Sequence, residues 1–290
     1  MNAKLLKTSK LSALVLLIVY SVNCTLNDPE EIFVPDIAPN EQVLDTFNEK
    51  YPDAEDIIWY IKADYYVACF TQTSIPACAW FDNGGEWFLS AENYSFDRLH
   101  HKISETFFSS IYSDWYVEKV DRLERKDMDA VYVISVTEAN RFANLYYSRF
   151  GTFIRAMAEG KNYVHYPVVI PPPISRKLDS LFDRPEVIDL WKDELAIHVA
   201  VRDNNSSRVA AFSFDYEWIC TFRDITKEEL PQIVWAGFES SKYANYTIDH
   251  LRILYDSKSL SYLFYLSDDK GDRYILYIRE DGTPDCIISY

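Results

Sequence analysis

A turn that recurs at a near-constant interval is the feature that most constrains how this chain folds. Glycine-containing turns at Gly85, Gly151 and Gly282, together with a related segment at Tyr216, recur every 65 or 66 residues. Each turn comes after a run of strand-like residues, and each run follows a stretch with helical periodicity. The sequence therefore predicts four copies of one unit of helix and strands. Chance spacing of common turns is the alternative interpretation.

The first copy shows what the unit contains. Residues 56–88 hold three apolar, aromatic-rich runs separated by polar turns. The segment Asn83-Gly84-Gly85 suits a tight hairpin turn, which needs residues that tolerate positive φ. This pattern predicts a three-stranded antiparallel meander, preceded by a short helix over residues 41–51. The turn around Tyr216 contains no glycine, so we expect it to be longer or of another type.

Similarities at double the period group the four units into two pairs. Trp59 corresponds to Trp191, and the helical segment around Leu99 corresponds to the one around Leu230. The predicted fold class is therefore α+β, with two tandem domains of two αβββ repeats each, antiparallel sheets, and the helices packed on one face. The 290 residues are 48% hydrophobic, which is enough to form two such cores.

Two longer helices are predicted at equivalent places in the two pairs. The first is capped by Ser95 and runs to about Tyr112, and the second is capped by Thr226. Helical spacing places these apolar side chains on the buried faces: Leu99, Ile103, Phe107 and Ile111 in the first helix, and Leu230, Ile233, Val234 and Phe238 in the second. Residues 116–125 form a strand that is polar at alternate positions, which predicts that one sheet face meets water.

Composition places the domain boundaries. Residues 1–24 are predicted to be an export signal, residues 25–40 an acidic tether, residues 41–160 the first domain, residues 161–173 a proline-rich linker, and residues 174–290 the second domain. The linker ends in three consecutive prolines, which favour a stiff, extended backbone.

The first 24 residues resemble a bacterial lipoprotein signal. Lys4, Lys7 and Lys10 precede an apolar run too short to span a bilayer, and the run ends just before Cys24. The resemblance implies that Cys24 carries a lipid and that the protein is exported and membrane-anchored, in the periplasm or at the outer-membrane surface. An ordinary cleaved signal with an incidental cysteine is the alternative. The acidic residues that follow either resemble a Bacteroidota surface-export signal or form a solvated leader.

Four cysteines remain beyond Cys24, and an even number suits an oxidising compartment. Cys69 and Cys78 flank a turn, so they face each other across a predicted hairpin and a disulfide is geometrically possible. Cys220 and Cys286 occupy equivalent repeat positions and meet only if a pseudo-twofold axis brings them together. Free buried thiols are the alternative for both pairs.

Charge and motifs argue against several classes of function. A net charge of −16 repels phosphate backbones, so nucleic-acid binding is not expected. The sequence contains no serine-hydrolase, zinc-protease, phosphate-loop or Cys-x-x-Cys motif. Residues 82–86 and 268–272 are acidic, but they lack the spacing of a calcium loop and suit turns better. We therefore predict a protein that is not an enzyme and has no catalytic residues, cofactor or metal. Among the scattered histidines, His198 is expected on the strand face away from the core.

Aromatic surface is the feature that most favours a binding function. Trp59, Tyr65, Trp80 and Trp87 lie on the predicted strands of the first unit. If the sheet face without helices is bare and carries such side chains, it is a candidate site for a protein or peptide of unknown identity. A carbohydrate-binding platform is the alternative function, and burial in the core is the structural alternative for each residue. The sequence does not define the oligomeric state, and we expect contact with the membrane only through the lipid anchor.

Residues 43–140 carry a family resemblance. The matching residues are Phe47, Tyr51, Pro52, Trp59, Phe81, Asp82, Gly85 and Trp87. This pattern resembles the β-lactamase-inhibitor-like, PepSY-like family of exported Bacteroidota proteins, although His100 stands where the family has proline. The resemblance is weaker over residues 175–290. It implies an exported or lipid-anchored protein with helices packed on antiparallel sheets, and it supplies no catalytic residues.

Overall fold

The computed structural model describes residues 34–35, 37–158, 163–204 and 206–289. The predicted lipoprotein signal, including Cys24, and most of the acidic tether lie outside these residues. The described chain divides into two compact units. The first unit comprises residues 34–170 and the short segment Glu186–Asp189, and the second comprises Pro171–Pro185 and residues 190–289.

The first unit is built on one antiparallel sheet whose strands follow chain order. Two helices, α1 (Glu41–Lys50) and α2 (His101–Phe108), belong to this unit. The strands are β1 (Val34–Pro35), β2 (Ala54–Lys62), β3 (Tyr65–Gln72), β4 (Ile75–Phe81), β5 (Trp87–Tyr94), β6 (Tyr116–Arg125), β7 (Val131–Glu138), β8 (Arg141–Ser148) and β9 (Phe153–Met157). Neighbours in sequence are therefore neighbours in the sheet, as hairpin connections require.

The second sheet repeats this order with eight strands. Its helices are α3 (Pro172–Leu181) and α4 (Gln232–Glu239). The strands are β10 (Glu186–Lys192), β11 (Ile197–Asp203), β12 (Ser206–Phe212), β13 (Trp218–Asp224), β14 (Thr247–Asp256), β15 (Leu260–Ser267), β16 (Arg273–Arg279) and β17 (Pro284–Ser289). The predicted α+β class, with two tandem antiparallel domains, is confirmed. In the described residues each helix is followed by four strands, so the repeat is αββββ and the predicted αβββ unit was one strand short.

The extra strand is the one that follows the recurring turn. All four turns share one pattern of backbone hydrogen bonds. The Ser213 amide donates to the Glu217 carbonyl at 2.8 Å and the Tyr216 amide to the Ser213 carbonyl at 2.9 Å, and the turn at Gly282 has the same two bonds at 3.0 and 2.9 Å. The prediction of a longer or different third turn was wrong, because Tyr216 itself adopts φ of +67°.

The recurring glycine lets a helix approach the sheet closely. A Cβ built on Gly85 would lie 2.7 Å from the carbonyl oxygen of Gln42, in the first turn of α1. A Cβ built on Gly282 would lie 2.4 Å from the carbonyl oxygen of Ile233, in the first turn of α4. Both glycines also have φ near +80°. Two constraints, a left-handed backbone and a close neighbour, thus select glycine at these turns.

The two longer helices are each interrupted. Phe96–Arg98 forms a single 3₁₀ turn before α2, and Lys227–Glu229 forms one before α4. Leu99 and Leu230 are extended between the two pieces. Pro231 explains the second break, since a residue before proline avoids the α region. Ser95 makes no capping bond in the structure, whereas Thr226 forms a capping box with Glu229.

The helices bury one stripe each against the sheet. Val43 and Phe47 of α1 pack on β3 and β4, while Ile103 and Phe107 of α2 pack on β6, β7 and β8. Two residues predicted for these stripes, Ile111 and Ile233, are exposed. Ile111 follows the end of α2, and Ile233 precedes Val234, whose side chain with that of Phe238 forms the buried stripe of α4.

The linker differs from its prediction at its end. Pro172 and Pro173 begin helix α3 and do not extend the linker. Proline is well tolerated in the first turn of a helix, where its missing amide proton would have no partner.

Candidate binding surface

The four aromatic residues predicted to bind a partner are divided between the two faces of the first sheet. Trp59 and Trp87 pack on the helix side, in the cluster around Phe47. The rings of Trp59 and Phe47 are 5.1 Å apart, and the Lys50 ammonium lies 3.9 Å from the Trp87 ring centroid. The indole of Trp87 donates to the Ser90 hydroxyl at 2.8 Å. Both tryptophans therefore serve the packing of α1.

The other two residues lie on the face away from the helices. Tyr65 and Trp80 are in contact there, with ring centroids 6.0 Å apart. Trp80 is only 2% exposed and packs against Tyr166 at 5.4 Å. Trp80 is thus buried, which was the structural alternative for this residue. Since the Trp87 ring is also covered, by Lys50, neither tryptophan offers the open ring face that a carbohydrate platform needs.

The face without helices is covered at its centre, so the prediction of a bare sheet face was wrong there. His165 and Tyr166 lie against it within the first unit, whereas Ile58 of β2, on the same face, is 46% exposed. His165 Nε2 lies 3.1 Å from Asp121 Oδ2, and the His165 ring contacts Tyr146 and Tyr163. Asp121 is on β6, the strand predicted to turn one polar face to water, and both Asp121 and Arg125 are buried. These polar residues of β6 are paired, Asp121 with His165 and Arg125 with Asp189, as buried polar groups usually are.

Burial and the contact between His165 and Asp121 act in opposite directions on the pKa values of both groups. Burial lowers the pKa of His165 and outweighs the opposing effect of Asp121. For Asp121, burial alone would raise the pKa, but the hydrogen bond with His165 and the charge of Lys119 outweigh it, so the pKa is lowered. Asp121 therefore holds its charge beneath this covering segment.

His198 is also buried, which corrects its predicted place on an open face. Its ring stacks on Trp191 at 5.2 Å, and its Nε2 lies 2.7 Å from Asp193 Oδ2. Strand β11 is buried on both faces. The alternation of residues along a strand shows which ones share a face, but it does not show whether that face is covered.

Cys69 and Cys78 form a disulfide in the first unit. They are direct partners across the β3–β4 hairpin, with Cα atoms 4.1 Å apart. Cys220 and Cys286 are free, and Cys286 packs against the cluster that contains buried Cys220.

The two acidic segments considered for calcium form turns. Asp82 Oδ1 accepts from the amides of Gly84 and Glu86, and Asp268 Oδ1 accepts from those of Lys270 and Asp272. No group of three or more metal-ligating side chains suited to an ion occurs among the described residues.

Several large apolar side chains of the second repeat are exposed, at the end of α2, at the start of β6 and at the Gly151 turn. Phe108, Ile111 and Tyr116 are 61%, 71% and 71% exposed. Phe150 and Phe153, which flank the Gly151 turn, are also exposed. Gly151 packs against Lys102 of α2, and its carbonyl accepts from the Thr106 hydroxyl at 2.9 Å, so this turn lies beside the same helix. We call Phe108, Ile111, Tyr116, Phe150 and Phe153 the apolar patch.

The fourth repeat has the same fold but a polar surface at the equivalent positions. Aligning α2 with α4 places Glu239, Lys242 and Thr247 where the second repeat has Phe108, Ile111 and Tyr116. Aligning the two glycine turns places Asp281 where the second repeat has Phe150. Because the fold forms with polar residues at these sites, the apolar side chains of the second repeat are not a requirement of the fold. Sequence reasoning missed this patch because it assigned Ile111 to the core. Aligning the second and fourth repeats would have shown that Lys242 occupies the equivalent position.

Comparison with protein families explains the duplicated architecture. A family model described as "Putative beta-lactamase-inhibitor-like, PepSY-like" matches residues 64–155 and again residues 197–283. These two matches cover more than half of the chain. The chain belongs to this PepSY-like family. Each match lies within one compact unit, so this PepSY-like protein carries the family domain twice.

Several solved structures are similar to one half of this PepSY-like protein. A DUF2874 family protein from Bacteroides ovatus shares 27% identity, covers 42% of this chain and 88% of its own, and has a TM-score of 0.41. A BLIP-like protein from Bacteroides fragilis shares 27% identity over 46% of this chain and 96% of its own, with a TM-score of 0.43. A third, from Bacteroides eggerthii and titled "putative periplasmic proteins", shares 21% identity over 42% and 89%, with a TM-score of 0.40. The search of curated proteins found no match.

None of the helices in the described ranges has the length and apolar character needed to span a bilayer.

Proposed function

We propose that this PepSY-like protein is a non-catalytic, exported binding module that recognises another protein through the apolar patch. One observation carries the proposal: five large apolar side chains of the second repeat are exposed, two of them at the end of α2, whereas the sister repeat has polar residues at most of the same places. Exposed apolar clusters of this kind mark interaction sites, and aromatic side chains dominate the energy of such interfaces. The family's inhibitor-like description agrees with a role in binding.

The experiment exchanges the patch for its own counterpart. The variant Phe108→Glu, Ile111→Lys, Tyr116→Thr replaces three patch residues with those of the fourth repeat. We expect the wild-type chain to capture a saturable protein partner from a Bacteroides envelope extract, and the variant to bind that partner at least tenfold more weakly. Loss of one buried aromatic contact is worth about 2 kcal/mol or more, which is sufficient for this effect. Affinity is measured with the purified partner.

A control separates the patch from exposed apolar residues in general. Phe214 is exposed but lies in the turn of the third repeat, so Phe214→Asp should leave the affinity unchanged. Both variants should keep the wild-type melting temperature, because all the replaced side chains are exposed. If no protein partner saturates, or if the triple variant binds as well as wild type, the proposal is wrong.

We also propose that the chain is anchored by a lipid on Cys24. The basic residues, the apolar run and the cysteine of the first 24 residues support this proposal. Expressed with its signal in a Bacteroides host, the protein should partition into the detergent phase of Triton X-114. The Cys24→Ser variant should move to the aqueous phase. Equal partitioning of the two proteins would contradict lipidation and would leave the binding proposal to be judged separately.

A further inference from the structure

Three tyrosines of the fourth repeat form an aromatic cluster at the surface of the second unit. The ring centroids of Tyr243 and Tyr246 are 5.4 Å apart, those of Tyr246 and Tyr274 are 5.4 Å apart, and those of Tyr243 and Tyr274 are 6.4 Å apart. All three side chains are half-buried, so part of each ring is open to solvent. We call these residues the tyrosine cluster.

The second repeat contains a counterpart of this cluster. Tyr112 and Trp115 correspond to Tyr243 and Tyr246, and their ring centroids are 5.1 Å apart at an interplanar angle of 77°, compared with 82° in the fourth repeat. The backbone also matches, because the Trp115 amide donates to Tyr112 and the Tyr246 amide to Tyr243. In the second repeat, the guanidinium of Arg141 lies 4.8 Å from the Trp115 ring centroid. The chain thus supplies its own cation to this aromatic pair.

The fourth repeat replaces that cation with an acid. The strand pairs next to the two hairpin turns align the repeats: Thr137 pairs with Phe142 in the second repeat, and Ser267 pairs with Arg273 in the fourth. The residue before Phe142 is Arg141, and the residue before Arg273 is Asp272. Within the described part of the chain, no cation lies over the rings of Tyr246 or Tyr274. The ring of Tyr243 has a cation beside it: Lys242 Nζ lies 5.0 Å from its centroid.

Carboxylates next to the cluster favour a positive ligand. The hydroxyl of Tyr274 donates to Asp268 Oδ2 at 3.5 Å, and Asp272 is exposed in the same turn. Burial and the nearby charge of Asp268 raise the pKa of Tyr274. The negative faces of aromatic rings attract cations, and a neighbouring carboxylate adds to this attraction.

We propose that the tyrosine cluster binds an arginine side chain of a partner protein, in the way that Arg141 covers Trp115. Guanidinium is planar and weakly hydrated, so it stacks on aromatic rings better than ammonium does. A net charge of −16 also favours a basic partner. This site is separate from the apolar patch, and its test uses a small probe, so either proposal can fail alone.

The test is an NMR titration of the full chain with N-acetyl-arginine amide. We expect saturable shifts of the ring signals of Tyr243, Tyr246 and Tyr274 in the millimolar range. N-acetyl-citrulline amide has the same shape without the charge, and it should bind at least tenfold more weakly. Citrulline binding as tight as arginine binding would overturn the proposal.

A substitution that copies the second repeat provides the sharpest control. Asp272→Arg places a guanidinium where Arg141 stands, and it should abolish arginine binding by occupying the cluster from within. Tyr246→Leu should weaken binding at least fivefold without adding a charge, whereas Tyr255→Leu, at an exposed tyrosine of the same unit, should have no effect. Melting temperatures identify any variant that fails to fold. If Asp272→Arg fails to fold, the binding measured for Tyr246→Leu decides the question. Undiminished binding in the variants that fold would contradict the proposed site.

Discussion

Replacing Asp189 with alanine is expected to lower the free energy of unfolding of the first unit by about 3–5 kcal/mol, because it removes the carboxylate that buried Arg125 and largely buried Arg155 share. Asp189 is completely buried. Arg125 donates to its Oδ1 at 2.5 Å, and Arg155 donates to its Oδ2 at 2.6 Å. Arg125 also donates to the Ile188 carbonyl at 2.8 Å, so the segment Glu186–Asp189 is held by both side chain and backbone.

The same carboxylate predicts how stability depends on pH. Burial alone would raise the pKa of Asp189, but the charges of Arg155 and Arg125 outweigh it and the pKa is lowered. A lowered pKa in the folded state means that this contribution is complete above the unfolded value of about 4 and is lost as pH falls toward the folded value. The difference in stability between wild type and Asp189→Ala should therefore be constant near neutral pH and shrink in acid.

Denaturant unfolding at several pH values measures both effects. The ion pair between Arg279 and Asp285 is the control, because it joins the same chemical groups with both side chains about half exposed. Asp285→Asn should change the free energy of unfolding by less than about 1 kcal/mol. An Asp189→Ala loss no larger than that of the control would show that the buried cluster does not hold the unit together.

Gly282→Ala is expected to destabilise the second unit by about 2–5 kcal/mol. The left-handed backbone costs a residue with a Cβ about 1–2 kcal/mol, and the collision with the Ile233 carbonyl adds about 1–3 kcal/mol of overpacking. Gly237 of α4 approaches the same turn, and a Cβ built on it would lie 2.0 Å from the Gly282 carbonyl oxygen. The helix therefore has no room to move aside on this side of the turn.

Gly271 separates the two causes. It has φ of +84°, close to the +81° of Gly282, but a Cβ built on it would have no neighbour within 4 Å. Gly271→Ala should cost only the backbone part, about 1–2 kcal/mol. Thermal unfolding of the two variants measures the difference. Equal losses of stability in the two variants would mean that the close approach of α4 contributes nothing. Tyr216, with φ of +67°, shows that a residue other than glycine can adopt this backbone conformation.

Much of the architecture could be predicted because it depends on local chemistry. Turn glycines, apolar alternation and the spacing of Trp59 and Trp191 revealed the repeats, since each copy must make the same turns. The register of a tight hairpin also follows from its turn, which places Cys69 opposite Cys78. The count of strands was missed because the predicted unit ended at the recurring turn, whereas in the structure a fourth strand follows each of these turns.

The candidate binding residues could not be predicted in the same way. Trp80 and Trp87 have similar sequence surroundings, yet one is buried beneath Tyr166 and the other lies beside Lys50. Ile111 has helical spacing from Phe107, but the helix ends at Phe108, so its side chain is exposed. Spacing gives the direction of a side chain only while the element continues.

Local sequence by itself determined the number of repeats, their turns and the residues that share each face of each strand. The tertiary structure alone decided which faces are covered, because a segment such as the one that holds His165 and Tyr166 can pack on a sheet at a place that strand alternation does not encode. Contacts between residues distant in sequence therefore decided that Trp80 and Asp189 are buried while Phe108 and Ile111 remain exposed.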